Sequence, residues 1–119
     1  MGGDTLASEE EVRAFLLELK MALMRGRLQF DERLKNLETI KSLGYLVSDI
    51  PAALRGLKER DYSDGPVEDD KGRPLTWWVF GPVIQGSCIY VKIALHRTGV
   101  VCKSFHKAMW ELDYPLRRE

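Results

Sequence analysis

Residues 89–106 read IYVKIALHRTGVVCKSFH, and this stretch contains the strongest fold signal in the chain. Two runs rich in β-branched and aromatic residues, 88–96 and 100–106, are separated only by the Arg-Thr-Gly link at 97–99. Such runs favour β-strands. So short a link joins only antiparallel neighbours, because a parallel pair needs a crossover of a dozen or more residues. The stretch therefore predicts a β-hairpin.

The pairing register of this hairpin follows from its symmetry. With the turn centred on Thr98, Tyr90 and His106 lie opposite each other, because both are eight residues from the centre. Lys92 then lies opposite Ser104. Alternate residues of a strand point to the same face. We therefore expect Tyr90, Lys92 and His106 to share one exposed face of the sheet.

The second strand of the hairpin does not alternate cleanly. Lys103 falls on the same face as the apolar residues Val101 and Phe105. A β-bulge would separate them, because one extra residue reverses the side-chain direction beyond it. The alternative is a sheet that is partly solvated on both faces.

Helical patterns precede the hairpin. Ser8 followed by three glutamates at 9–11 has the form of a capping box, and apolar residues recur after it at helical spacing. The predicted helices cover residues 8–25, 31–43 and 48–57. A further strand is predicted at 76–80, and residues 27–30 have the alternation of a short edge strand.

This order of elements predicts an α+β fold, with N-terminal helices packed on one face of a small antiparallel sheet. The length of 119 residues suits a single domain over 1–119. Within it we expect a flexible start at 1–7, an irregular loop at 60–75 and a tail at 107–119 that packs along a sheet edge.

Composition narrows the class of protein. The chain is 45% hydrophobic and 30% charged, close to a soluble globular average. It has neither a run of the ~18 apolar residues that cross a bilayer nor a secretory signal pattern, so we expect a cytoplasmic protein with no membrane contact. Residues 71–119 carry 8 basic and 3 acidic side chains. This excess suits a polyanionic partner, and chance over a short chain is the alternative.

The side chains on the predicted face have the chemistry needed to cleave RNA. The ribose 2′-hydroxyl must lose a proton, the leaving 5′-oxygen must gain one, and the phosphorane needs positive charge nearby. His106 titrates near neutrality and suits either proton transfer. Tyr90 can shuttle a proton, and Lys92 suits the anionic transition state. Taken singly, each residue also has a plain structural explanation, since tyrosine favours strands and lysine protects sheet edges.

Four segments taken together, LKERDYSDGP, TWWVFGP, IYVKIAL and VVCKSFH, resemble the MqsR-type toxins of bacterial toxin–antitoxin pairs. These toxins belong to the RelE-like group of small mRNA endoribonucleases. The resemblance runs in order from about Val12 to His106. It implies a RelE-like fold, cleavage of mRNA without a cofactor, and inhibition by a tightly bound antitoxin protein of the zinc-binding or helix-turn-helix kind.

The resemblance also assigns residues. Tyr90 matches the active-site tyrosine of the family, and His106 occupies the place of a lysine in its best-known branch. Ser63 stands where that branch has a second active-site lysine, and Trp77 falls near its active-site glutamine. Lys92 or Lys103 would then supply the missing positive charge.

The predicted catalytic set is therefore Tyr90, His106 and Lys92, with no metal, because the sequence has no cluster at metal-ligand spacing. The predicted RNA contacts are Lys103, Arg97, Arg73, Tyr62 and Trp77. Two other functions stay open at this point. One is a non-catalytic domain of the same fold that binds RNA or a partner protein, and the other is an interaction domain whose sheet docks another chain.

Overall fold

The chain places its helices before most of its strands in a computed structural model that describes residues 6–117. The helices of this part of the chain are α1 (Glu9–Arg25), α2 (Leu34–Ser42) and α3 (Ile50–Arg55). The strands are β1 (Arg27–Phe30), β2 (Tyr62–Glu68), β3 (Thr76–Phe80), β4 (Val83–Ile84), β5 (Ser87–His96) and β6 (Gly99–Lys107). The α+β prediction is confirmed, and no helix in residues 6–117 is both long enough and apolar enough to span a membrane.

The predicted capping box starts α1. The Ser8 hydroxyl accepts a hydrogen bond from the Glu11 N–H at 3.1 Å, and the Glu11 carboxylate accepts one from the Ser8 N–H at 2.8 Å. The apolar stripe buries Val12, Phe15, Leu16 and Leu19. The predicted flexible start is shorter than expected, because Ala7 is buried and its N–H donates to the Tyr62 hydroxyl. The rest of that prediction, at 1–5, lies outside the described residues.

The other two helices are shorter than predicted. The Asp31 carboxylate accepts a hydrogen bond from the Arg33 N–H at 3.0 Å, which makes a turn before α2 instead of capping it. The third predicted helix begins as a 3₁₀ turn at Val47–Asp49 and is helical only over Ile50–Arg55. Gly56 follows it, as a residue that weakens helices.

The sheet has the strand order β1-β6-β5-β3-β2, with β4 paired to β5. The three predicted strands β3, β5 and β6 are antiparallel neighbours, as expected. The sheet as a whole is mixed, however, because β1 runs parallel to β6. Arg27 enters beside the start of β6, where its N–H donates to the Thr98 carbonyl at 3.1 Å. Gly99 permits this approach, since a Cβ there would lie 1.9 Å from the Arg27 carbonyl oxygen.

The predicted loop at 60–75 is wrong for half of its length. Residues 62–68 form β2, an edge strand that pairs with β3 through shifted registers near Asp64 and Val67. The Gly65-Pro66 turn signal lies inside this strand. An edge strand tolerates proline, which lacks an N–H, and irregular pairing accommodates glycine. Only the segment after Glu68 remains a loop.

A bulge at Lys103 divides the side chains of β6 between the two faces. The pairing passes from Lys92 opposite Ser104 to Ile93 opposite Cys102, so that Lys103 is the extra residue. The bulge explanation is thereby confirmed. The predicted centre of the turn is wrong, because His96 pairs with Gly99, and only the bulge restores the symmetry about Thr98 that places Tyr90 opposite His106. The helix-facing core receives Ile89, Val91, Ile93, Val100, Cys102 and Phe105. Tyr90, Lys92, Lys103 and His106 lie on the opposite face, which we call the open face.

Helix α2 covers the edge of β6 beyond the end of β1. The Asn36 side chain accepts from the Phe105 N–H at 3.0 Å and donates to the Lys103 carbonyl at 3.0 Å. Thr39 Oγ1 accepts from the Lys107 N–H at 3.1 Å. These side chains take the place of a neighbouring strand, because buried backbone groups need hydrogen-bond partners.

The segment 108–117, here called the C-terminal strap, crosses the end of the sheet instead of following an edge as predicted. It starts where the Ala108 N–H donates to the Cys88 carbonyl at 2.9 Å. It ends where Arg117 Nε donates to the Arg60 carbonyl at 2.9 Å. The last part of the predicted tail, 118–119, lies outside the described residues.

Candidate active site

Tyr90 and His106 face each other across the β5–β6 hairpin. They are direct register partners, and their rings stack with centroids 5.3 Å apart at an interplanar angle of 28°. The predicted shared face is therefore confirmed. Lys92 occupies the next position on this face of β5, about 6.6 Å further along the strand.

His106 is far less exposed than expected, with only 4% of its surface accessible. The prediction of an exposed histidine is wrong because α2 closes the sheet edge beside it. Together with Lys35, Thr39 and Met109, His106 borders a cavity of about 260 Å³.

The imidazole of His106 is held in a defined tautomer. Its Nδ1 lies 2.9 Å from the Lys107 carbonyl oxygen. A carbonyl only accepts, so Nδ1 carries the proton and Nε2 of the neutral ring keeps a free lone pair. Burial lowers the pKa of His106, the hydrogen bond to the Lys107 carbonyl opposes this shift, and the positive charges of Lys35 and Arg33 add to the lowering. The ring is thus neutral near pH 7, in the form that accepts a proton.

The pKa of Tyr90 is shifted in the opposite direction to that of His106. Tyr90 is half-buried, and its pKa is raised by burial and, to a lesser extent, by the negative charge of Asp64. Its hydroxyl therefore keeps its proton at neutral pH. The other neighbour of its ring is Trp110 of the C-terminal strap, at a centroid distance of 5.6 Å.

Two lysines share one indole on the open face. Lys92 Nζ lies 5.7 Å and Lys103 Nζ 5.5 Å from the centroid of the Trp77 ring, within the range of cation–π attraction. Neither ammonium forms an ion pair within residues 6–117. The pKa of Lys92 is lowered by burial and by the charge of Lys103. An anion placed between them would relieve this repulsion.

Trp77 is not the accessible RNA contact that the sequence predicts. Only 3% of its surface is accessible, and its Nε1–H donates to Asp69 Oδ1 at 3.0 Å. Its position opposite Ala94 places it beneath the lysine side chains. It supports the two ammonium groups and offers no free face to a nucleobase.

Asp69 is the site residue that the sequence analysis missed. This buried carboxylate accepts from Arg73 Nη2 at 2.8 Å and from Arg73 Nε at 3.0 Å, besides the Trp77 indole. The Arg73 guanidinium and the indole hold the pKa of Asp69 well below its usual range. The sequence feature that could have identified it is the Asp-x-x-x-Arg spacing in a turn, because aspartate in turns commonly accepts hydrogen bonds from the following backbone N–H groups.

Arg73 is held beside a second cavity, of about 430 Å³, which Trp77 and Lys103 also line. His96 and Asp31 lie on its other walls. Arg73 and Lys103 thus share a groove on the open face, as a common RNA contact requires.

Two other predicted RNA contacts lie elsewhere. Tyr62 is fully buried, with its hydroxyl bonded to Ala7 and Gly65, so it is not available to a ligand. Arg97 lies in the β5–β6 turn, about 23 Å along the strand from Tyr90. It borders a cavity against α1 and not the groove of Arg73.

The sequence comparisons add no family to this geometry. In the described part of the chain, no group of three or more His, Cys, Asp or Glu side chains is arranged to hold a metal ion. No protein-family model matches the chain, and no curated protein matches its sequence. The likeness to MqsR-type toxins therefore stays a prediction from short motifs.

Proposed function

We propose that this protein is a metal-independent endoribonuclease of the toxin type, which cleaves mRNA through attack of the ribose 2′-hydroxyl. The observation that carries the proposal is the stacked pair of Tyr90 and His106, 5.3 Å apart, with Lys92 beside it on the same face. Together the three side chains provide a neutral base, a protonated acid and a cation, which are the groups that this reaction uses.

In this proposal the neutral His106 ring is the base and the protonated Tyr90 hydroxyl is the acid. His106 Nε2 takes the proton of the 2′-hydroxyl, whose oxygen forms a bond to phosphorus. Tyr90 gives its proton to the 5′-oxygen as the P–O5′ bond breaks. The Lys92 ammonium stabilises the charge of the phosphorane. The products are a 2′,3′-cyclic phosphate and a 5′-hydroxyl.

The direct test uses the purified full chain, a defined RNA and the same sequence made with 2′-deoxyribose at every position. We expect cleavage of the RNA only, since the deoxy strand lacks the nucleophile. End-group analysis should find the cyclic phosphate, with the same yield in EDTA. A 5′-phosphate product, or loss of cleavage in EDTA, would show that water and a metal carry out the reaction.

A second candidate is a non-catalytic domain of the same fold that binds RNA or a partner protein. The 4% exposure of His106 favours it, because a catalytic base has to reach its substrate. Lys92 and Lys103, which have no ion-pair partner in the described chain, would still bind phosphate. Tight RNA binding without cleavage under all conditions would decide for this candidate.

The toxin assignment also includes a cytoplasmic location and a dedicated antitoxin, because a free ribonuclease would harm its own cell. Exposed Met109 and Trp110 next to the candidate site provide apolar anchors for such a partner. We expect growth arrest when the protein is induced, and its relief by the protein encoded beside it. Size-exclusion chromatography of the co-expressed pair should show a stable complex, and two separate peaks would contradict it.

A further inference from the structure

Trp110 differs from the other two tryptophans in being largely open to solvent. It is 60% exposed, whereas Trp77 is 3% exposed and Trp78 stacks on Phe15 at a centroid distance of 4.3 Å. So large an exposed aromatic surface is unfavourable in water. Met109 beside Trp110 is 69% exposed, so the two residues form an exposed apolar surface, and contiguous surfaces of this kind are found at interaction sites.

The C-terminal strap is anchored to the sheet both before and after Trp110. Upstream, Ala108 is bonded to the Cys88 carbonyl. Downstream, the Tyr114 hydroxyl donates to the Gly81 carbonyl at 2.7 Å. Leu112 fills the space above Gly81 so closely that a Cβ on this glycine would lie 2.5 Å from Leu112 Cδ1. The tryptophan is thus part of an anchored segment and not of a loose tail.

Trp110 adjoins the candidate site at Tyr90. Its ring contacts that of Tyr90, and Lys92 follows on the same face of β5. Acidic residues are also close, since Glu111 adjoins it in the chain and the charge of Asp64 acts on Tyr90. An aromatic surface and an ammonium group that both adjoin Tyr90 match the alternating base and phosphate of a single strand.

We propose that Trp110 stacks on a nucleobase of single-stranded RNA and so positions the adjoining phosphate between Tyr90 and Lys92. The proposal rests on the proposed function and deepens it, because it names the contact that places the strand. Trp110 is a positioning residue here, since it touches the base and not the reacting atoms. Every base has an aromatic face, so this contact favours single strands without requiring a particular sequence.

The test measures binding and not cleavage. The full chain is titrated into a labelled single-stranded DNA, which cannot react, and into a strand of equal length with abasic nucleotides. We expect the wild type to bind the base-containing strand ~10-fold more tightly, within the range for one stacked base. Trp110→Ala should remove this preference, and Trp110→Phe should keep part of it.

The matched control is Met24→Ala, because Met24 is an exposed apolar residue of α1 away from the open face. It should bind both strands as the wild type does. Unfolding midpoints of all variants exclude a folding defect, and the wild-type comparison of the two strands does not depend on any variant. Equal binding of both strands by the wild type, or an unchanged preference in Trp110→Ala, overturns the proposal.

The outcomes separate this inference from the proposed function. Base-dependent binding through Trp110 without RNA cleavage would support the stacking role and reject the nuclease. RNA cleavage by the wild type, together with an unchanged strand preference in Trp110→Ala, would support the nuclease and reject the stacking role. Loss of antitoxin binding alone in Trp110→Ala would make this residue a protein anchor, which also overturns the stacking role.

Discussion

Replacing Asn36 by alanine should destabilise the fold at the point that supports the candidate site. Asn36 is completely buried, and it is the side chain through which α2 closes the edge of β6. Its amide nitrogen donates to the carbonyls of Asp31 and Lys103, at 2.8 and 3.0 Å. Its oxygen accepts from the Phe105 N–H at 3.0 Å.

The expected loss follows from these three hydrogen bonds. Each is worth about 1 kcal/mol net, and a buried backbone group left without a partner costs 1–3 kcal/mol. Asn36→Ala should therefore lower the free energy of unfolding by about 3 kcal/mol. Alanine is the better helix former, so helix propensity opposes this loss by less than ~1 kcal/mol.

Urea unfolding monitored by circular dichroism measures this change. The control is Glu38→Ala, which alters an exposed residue on the same helix and should change stability by less than ~0.5 kcal/mol. A loss below ~1 kcal/mol for Asn36→Ala would refute the reasoning. It would mean that water satisfies the edge of β6 and that α2 is not needed as its partner.

Four further results are expected. His106→Ala should lower RNA cleavage ~100-fold or more with nearly unchanged affinity in a gel-shift assay, and Tyr90→Phe should do the same, because general acid–base help has this size. Lys92→Ala should instead weaken both affinity and rate, because a phosphate contact acts in the ground state and in the transition state. The cleavage rate should fall on acidification with an apparent pKa below the usual ~6.5, since the lowered pKa of His106 keeps its base form to lower pH; a midpoint above 7 would contradict this. The lowered pKa of Asp69 stabilises the native state above about pH 4, and this stability is lost as the pH falls further. Asp69→Asn should therefore unfold at a lower urea concentration at pH 7, and its stability should fall less than that of the wild type on acidification.

The hairpin at the centre of the fold was predictable because its determinants are local. A short link and a period of two predict an antiparallel hairpin, but near the turn His96 pairs with Gly99, and Tyr90 meets His106 only because of the bulge at Lys103. The capping box at Ser8 is equally local, since its two hydrogen bonds join residues three positions apart. The sequence alone therefore determined the first helix and the antiparallel pairing of β5 with β6.

The surroundings of that pair were decided by contacts between distant segments. The sequence of β6 did not decide whether Lys103 forms a bulge. Strand β2 was not predicted because Gly65-Pro66 has the local preference of a turn, which pairing with β3 outweighs. The burial of His106 depends on α2, which is distant in the chain. Asn36 of this helix binds the Lys103 carbonyl of β6 across a sequence separation of 67 residues. Exposure is a property of what packs against a residue, and no periodicity within a strand encodes it. The sequence thus determined which strands pair, and the tertiary structure decided which side chains meet across them and how protonated and how accessible they are.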